Sequence, residues 1–246
     1  DNGSIDEIKK YARYYNAGIH KMELKSQFRC DGSDGYLAWL DNVLEIRETA
    51  NFDLDNKYDF KVFDNPNELR KAIEEKNKVN NKSRLVAGYC WNWISEGKNK
   101  SDVYDITIPE YNFGMSWNLG NSSTWAIDKE SVNEIGCIHT CQGLEFDYVG
   151  VIIGDDLRYE NNHIITDYTK RAKTDQSIKG INKIAKEEGI EEAKRITDSI
   201  IKNTYKTLMT RGMKGCYVYC TDKKLNEYLK NRWSYQIRWF YSTKIY

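Results

Sequence analysis

Two spacings of apolar residues run through this chain of 246 residues, one suited to strands and one to helices. The run Arg84 to Cys90 (R-L-V-A-G-Y-C) is almost continuously apolar, which predicts a strand buried on both faces. Cys216 to Cys220 reads as another buried strand, Tyr58 to Phe63 alternates, and Ile19 to Leu24 makes a further strand. Helical spacing takes over from Tyr36 to Thr49, where Leu37, Leu40, Val43 and Leu44 share one side. Asn65-Pro66 opens a helix with Asn65 as N-cap and Pro66 in the first turn, and Asn80-Asn81 stops it. From Ile190 to Met209 the stripe Ile190, Ala193, Ile196, Ile200, Thr204 and Leu208 steps by three or four. Asn161-Asn162 marks a hairpin, and Asp222 caps a last helix to about Lys230.

Strands alternating with helices through short connections predict an α/β fold, a parallel sheet flanked by helices on both faces. One domain over residues 1–230 accounts for the pattern, with a polar, aromatic excursion at 95–130 and an inserted segment at 155–190. Within the excursion the only strand signal lies near Val103 to Ile108, and residues 231–246 form a basic, aromatic tail without a place in the fold.

Hydrophobic residues make up 40% and charged residues 30% of the chain, as in an ordinary globular protein. No apolar run reaches the roughly 18–20 residues that cross a bilayer, and no basic-apolar leader opens the sequence. The expectation is a cytoplasmic protein without a membrane partner. The net charge of zero conceals a division: residues 1–170 hold 20 Lys/Arg and 29 Asp/Glu, whereas residues 171–246 hold 17 and 8. A basic end of this kind faces a polyanion or forms solvated helix faces.

Six cysteines include two C-x3-C pairs, Cys137/Cys141 and Cys216/Cys220. Read as strand positions, the sulfurs of each pair stand roughly 13 Å apart, too far for a shared zinc. Reduced, buried thiols are expected, and no metal site.

Candidate chemistry concentrates between Ile135 and Ile153, where His139, Thr140, Gln142, Gly143 and Glu145 fill a turn between two strands. A packed core has little use for so many hydrogen-bonding groups at one turn. This segment and two more fall at joins between strands and the loops or helices that follow them, the edge where open parallel sheets place ligands: Leu24 to Cys30, with Gln27 and Arg29, and Tyr205 to Gly212, with Arg211. Trp91 and Trp93 follow the strand that ends near Cys90, at that same expected edge.

The pattern H-T-x-Q-G-x-E-F-x-x-V from His139 resembles motif V of the UvrD/Rep-like superfamily 1 helicases. The other two segments resemble motifs IV and VI, with Gln27 for Asn and Gly212 for Ala. The four stretches Q-F-R-C-x-G-S-D, A-G-Y-C-W-x-W, I-H-T-C-Q-G-L-E-F-D-Y-V-G-V-I-I-G and K-N-T-Y-x-x-L-x-T-R-G-M-K-G-C, in that order, are similar to the Schlafen-type DNA/RNA helicase family of bacteria.

That resemblance implies a RecA-like fold and a motor with two such domains and ATP between them. No G-x-x-x-x-G-K-[ST] phosphate loop occurs in the chain, so it resembles the second, C-terminal RecA-like domain, related to the P-loop NTPases without a P-loop of its own. The implied cofactor is ATP with Mg2+, in a site completed by an N-terminal RecA-like domain; the implied ligand is DNA or RNA, single-stranded or duplex.

On this resemblance Arg211 is the arginine finger and Arg29 a second cation on the γ-phosphate, where planar, permanently charged donors stabilise the equatorial oxygens. Gln27 orients Arg29 or touches the triphosphate, Glu145 accepts from the ribose, and Gly143 admits the nucleotide close to the backbone. His139, Thr140, Trp91 and Trp93 face the nucleic acid. Taken alone, the chain is expected to be catalytically silent. Two other readings stand beside it: a non-catalytic nucleic-acid-binding or regulatory module on the same fold, and a stand-alone nucleotide enzyme, which would need the phosphate loop. Without the resemblance each candidate has a plain structural use. Arg211 could neutralise the dipole of the preceding helix, and Trp91 or Trp93 could pack beneath the 95–130 excursion, as Trp117 and Trp125 are expected to do.

Overall fold

The computed structural model describes residues 5–19, 30, 34–49, 58–94, 103–118, 124–141 and 143–243. The expected strand over Ile19 to Leu24, and with it Gln27, Arg29 and Gln142, therefore falls wholly or largely outside the described residues.

In chain order the elements begin with α1 (Ile5–Tyr14), α2 (Asp34–Val43), β1 (Asp59–Val62), α3 (Pro66–Asn80) and β2 (Ser83–Ala87). β3 (Ile106–Ile108), β4 (Phe113–Trp117), β5 (Glu134–Gly136), α4 (Ile138–Cys141) and β6 (Phe146–Ile153) follow. β7 (Leu157–Glu160), β8 (His163–Thr166), α5 (Ile181–Glu187), α6 (Ile190–Met209), β9 (Gly212–Cys220) and α7 (Lys223–Thr243) complete the chain. Seven strands form one sheet in the order β1-β9-β6-β2-β5-β4-β3, parallel throughout except β3, which runs antiparallel to β4. The fold is α/β and RecA-like, with the strand Ser83–Ala87, buried at every position, in the centre of the sheet.

Each central strand divides its side chains between two cores, as the two-residue strand period requires. Val86, Val149, Val151, Cys216 and Val218 meet Tyr36, Leu40, Tyr205, Leu208 and Leu225 from α2, α6 and α7. Leu85, Ala87, Ile152, Tyr217 and Tyr219 meet Leu69 and Ile73 of α3 on the other face. Helices thus cover both faces, which explains why these strands carry apolar residues without alternation.

Local signals set several boundaries. Asn65 caps α3 by accepting from the Asn67 amide at 2.9 Å, and Asn81 ends it with φ 58°. The hairpin β7–β8 turns through Asn161 and Asn162, both at positive φ, the geometry of a type I′ turn. At the start of β2 the buried Arg84 guanidinium donates to Asn77 Oδ1 (2.7 Å), Ser131 Oγ (2.8 Å) and Asp128 O (2.7 Å), tying α3 and the 128–131 turn to the strand.

The structure departs from the sequence reading in five places. The helix expected to reach Thr49 ends at Val43, with Glu45 at φ 51°. β4 lies inside the excursion taken as polar, because Phe113, Met115 and Trp117 are buried beside β5. On α6 the buried stripe runs Ala193, Thr197, Ile201, Tyr205, Leu208; Ile190 is exposed, and the Thr197 hydroxyl donates to Ala193 O at 2.8 Å. Cys141 lies in α4 rather than on a strand, and its thiol donates to Cys137 O at 2.7 Å. The chain beyond Lys230 continues α7, and Trp233 packs 4.9 Å from Phe60. Among the described residues all six cysteines are free, no group of three metal-binding side chains occurs, and no helix is long and apolar enough to cross a membrane.

Candidate functional site

Parallel strands give the sheet two distinct edges, and the candidate residues divide between them. Phe146 opens β6 and pairs in register with Gly212, which opens β9. Glu145 and Arg211 each precede these residues by one position, so they stand side by side at the N-terminal edge. The Phe146 amide donates to Arg211 O at 2.8 Å and fixes that adjacency. This corrects the expectation that the segments bearing Glu145 and Arg211 end strands: both lead into strands, at the edge opposite the usual ligand crevice.

At this edge Glu145 is exposed, and among the described residues its carboxylate has no hydrogen-bond partner. A turn carboxylate satisfied by local amides is not what stands there. Gly143 adopts φ +82°, and a Cβ on it would meet nothing within 4 Å, so glycine serves the backbone angle and the space above it is open. Arg211 differs. Only 4% exposed, it donates from Nε to Thr207 O at 3.0 Å and from Nη1 to Leu144 O at 3.3 Å. It thereby completes the C-terminus of α6, where a cation also meets the negative end of the helix dipole. The helix-terminating role left open by the sequence is occupied, and an outreaching finger requires the guanidinium to leave these carbonyls. The Gln27–Cys30 segment enters through its last residue: the Cys30 thiol donates to Thr210 O at 3.8 Å, next to Arg211. Three separated segments thus converge, although Gln27 and Arg29 themselves lie outside the described residues.

The tryptophans mark the C-terminal edge, roughly 25 Å from Glu145 along β6 at ~3.3 Å per residue. α4 begins there, just past β5, and its Thr140 hydroxyl donates to Asn118 Oδ1 at 2.9 Å. His139 beside it is exposed. Trp91 and Trp93 follow β2, and the Trp91 carbonyl accepts from Trp117 Nε1 at 3.2 Å. Trp91 is half-buried, Trp93 is exposed, and Trp117 and Trp125 are core. Trp91 and Trp93 therefore do not share an edge with Glu145 and Arg211, whereas His139 and Thr140 lie on the short return between the two edges: Thr140 precedes Glu145 by at most about 18 Å of extended chain, and the Leu144 amide donates to Cys141 O at 3.0 Å.

Behind the C-terminal edge lies a polar cluster that the sequence reading missed. Asp156, fully buried past the end of β6, accepts from Arg171 Nη1 at 2.9 Å and from the Tyr205 hydroxyl. Asp175 accepts from Arg171 Nε, and Tyr205 Oη accepts from the Gly154 amide at 3.0 Å. Burial and the neighbouring Asp156 push the Tyr205 phenol well above its ordinary range, so it stays protonated as the donor. A Cβ at Gly88 would lie 1.9 Å from Tyr205 Oη, so the strand end is glycine by necessity. The one faint signal in the sequence was charge in an insert with no periodicity.

The sequence matches the family described as Schlafen group 3, DNA/RNA helicase domain, over residues 1–222. It is also similar to an uncharacterized protein of Saccharomyces cerevisiae, at 27% identity over 222 residues, which is 84% of this chain and 47% of the yeast protein. The chain thus spans about half the length of that curated relative.

Proposed function

Because the chain belongs to the Schlafen group 3 DNA/RNA helicase domain family, we propose that it is the C-terminal RecA-like half of an ATP-driven nucleic-acid motor related to the UvrD/Rep-like helicases. The observation that carries this reading is the convergence at the N-terminal edge, where the exposed Glu145, the open turn at Gly143 and Arg211 meet. In this reading Glu145 accepts from the ribose, Gly143 lies against the nucleotide, and Arg211, with Gln27 and Arg29, serves the γ-phosphate. The phosphate cradle and the Mg2+ ligands belong to the other half, and ATP supplies the phosphoryl group. Trp91 and Trp93 serve the strand at the opposite edge, and His139 and Thr140, on the return between the edges, couple that strand to the nucleotide.

The isolated chain is expected not to hydrolyse ATP above background, with or without single-stranded nucleic acid. Robust turnover that disappears in Arg211→Ala would overturn the half-site reading and favour a self-sufficient enzyme.

The basic segment from residue 171 should contribute most to strand binding. Lys179, Lys183 and Lys186 are exposed on and before α5. Reversing all three to Glu should weaken filter-bound single-stranded oligonucleotide and flatten the salt dependence, since fewer counterions are released. Unchanged affinity and slope would make them a solvated helix face. If the longer protein proved to carry no phosphate loop, the second reading, a binding or regulatory module without turnover, would take precedence.

A further inference from the structure

Three aromatic rings cluster at the C-terminal edge around Trp117. Tyr89 stacks on Trp117 at 5.5 Å between centroids and 20° between planes, and Trp117 stacks on Trp93 at 6.0 Å and 18°. Trp117 is fully buried and Tyr89 nearly so, whereas Trp93 is 39% exposed. The inner rings are held from the inserted segment: the Ala172 amide donates to Tyr89 O at 2.8 Å, Tyr89 Oη lies 3.3 Å from Thr174 Oγ1, and the Lys173 amide donates to Asn92 Oδ1 at 3.0 Å. Trp93 is thus a partly exposed ring on a fixed base, the buried Trp117, and a flat ring stacking on Trp93 would not disturb that base.

The same segment walls an open pocket of about 600 Å³ that includes Lys173, Lys179, Thr169 and Asn182. Arg171 also lines it, but Asp156 and Asp175 neutralise that charge, leaving Lys173 and Lys179 as the cations available to a ligand. A π-face beside lysines is the pairing that binds single strands: the ring takes a base whatever its identity, and the cations take the backbone.

We propose that Trp93 is a stacking end for one unpaired base of a single strand, with the phosphates next to that base passing the Lys173–Lys179 pocket. The proposal rests on the nucleic-acid reading above and narrows it. It separates Trp93 from Trp91, whose ring packs against the core and whose carbonyl holds Trp117. It also selects single strands over duplex, because the bases of a duplex are already stacked and paired.

Anisotropy titration of the chain with a labelled oligo-dT strand, a same-length abasic strand and a blunt duplex tests it. The intact chain should bind oligo-dT about 5- to 100-fold more tightly than the abasic strand, and more tightly than the duplex. Trp93→Ala should lower oligo-dT affinity by a similar factor, leave abasic binding unchanged and so abolish the difference. Trp93→Phe should keep most of it. Equal binding of oligo-dT and abasic strands by the intact chain, a preference for duplex, or an undiminished difference in Trp93→Ala would overturn the stacking proposal while leaving strand binding in place. No binding to any strand would instead remove the nucleic-acid reading beneath it. The abasic comparison on the intact chain decides the matter even if Trp93→Ala folds poorly.

Discussion

Arg211→Ala in the full-length protein is expected to reduce ATP turnover by roughly 10³–10⁵ while leaving nucleotide affinity largely intact. That factor corresponds to ~4–7 kcal/mol of barrier. In the proposed motor, ground-state contacts to the triphosphate would come mainly from a half that holds the phosphate loop, whereas a finger would act on charge that develops in the transition state. Arg211→Lys should recover little, since an ammonium cannot reproduce the planar fork. Because Arg211 also donates to Thr207 O and Leu144 O, truncation costs some stability, and the thermal midpoint must be followed alongside. Single-turnover hydrolysis combined with fluorescent-nucleotide binding separates the effects. A mutant hydrolysing ATP within tenfold of the parent, folded and saturated, would leave Arg211 with its helix-terminating role alone.

The largest expected loss of stability comes from Asp156→Ala. Its carboxylate is fully buried between Arg171 and Tyr205. Removing one member of a buried ion pair costs about 3–5 kcal/mol, because the remaining charge stays desolvated. Asp175 still faces Arg171, which places the cost near the lower end, ~3 kcal/mol. For a domain of this size that is a drop in thermal midpoint of roughly 6–12 °C. Arg171 Nη2 already lacks a partner among the described residues, so the mutant has no spare acceptor to recruit. Asp156→Asn should lose less, since the amide oxygen still accepts one bond. A midpoint within about 2 °C of the parent for Asp156→Ala would show that water or rearrangement replaces the carboxylate.

What could be read from the sequence was whatever has a period or a capping chemistry. The α3 boundaries followed from Asn65, Pro66 and Asn81, and the two buried strands β2 and β9 from apolar runs, because those features are local. β4 escaped because Gly114 and Ser116 interrupt a five-residue strand in a polar neighbourhood, and only its place beside β5 makes Phe113 and Trp117 core. α7 was cut short because Trp233 in its middle packs on Trp39 and Phe60, partners that lie far away in sequence. At the candidate site, motif order nominated Glu145 and Arg211, and the register of β6 with β9 makes them neighbours. Which edge they occupy was not legible, since it depends on strand direction across the sheet. The Asp156–Arg171–Tyr205 cluster was invisible for a related reason: its members come from a loop, an insert and a helix, and nothing in their spacing announces burial.

The strand order has one more consequence, for the behaviour of the chain in concentrated solution. A sheet grows by recruiting strands at its two unpaired margins, and long, flat, apolar margins are where proteins aggregate. Among the described residues the outermost strands are four and three residues long. β1 carries Asp59 and Lys61 in an ion pair, and β3 runs directly into Pro109, which has no amide hydrogen to offer a newcomer. Apolar runs such as Val149 to Ile153 sit in the interior of the sheet, with both neighbours already in place. The sequence most able to seed a fibril is therefore the best shielded part of the molecule, and partial unfolding is needed to expose it.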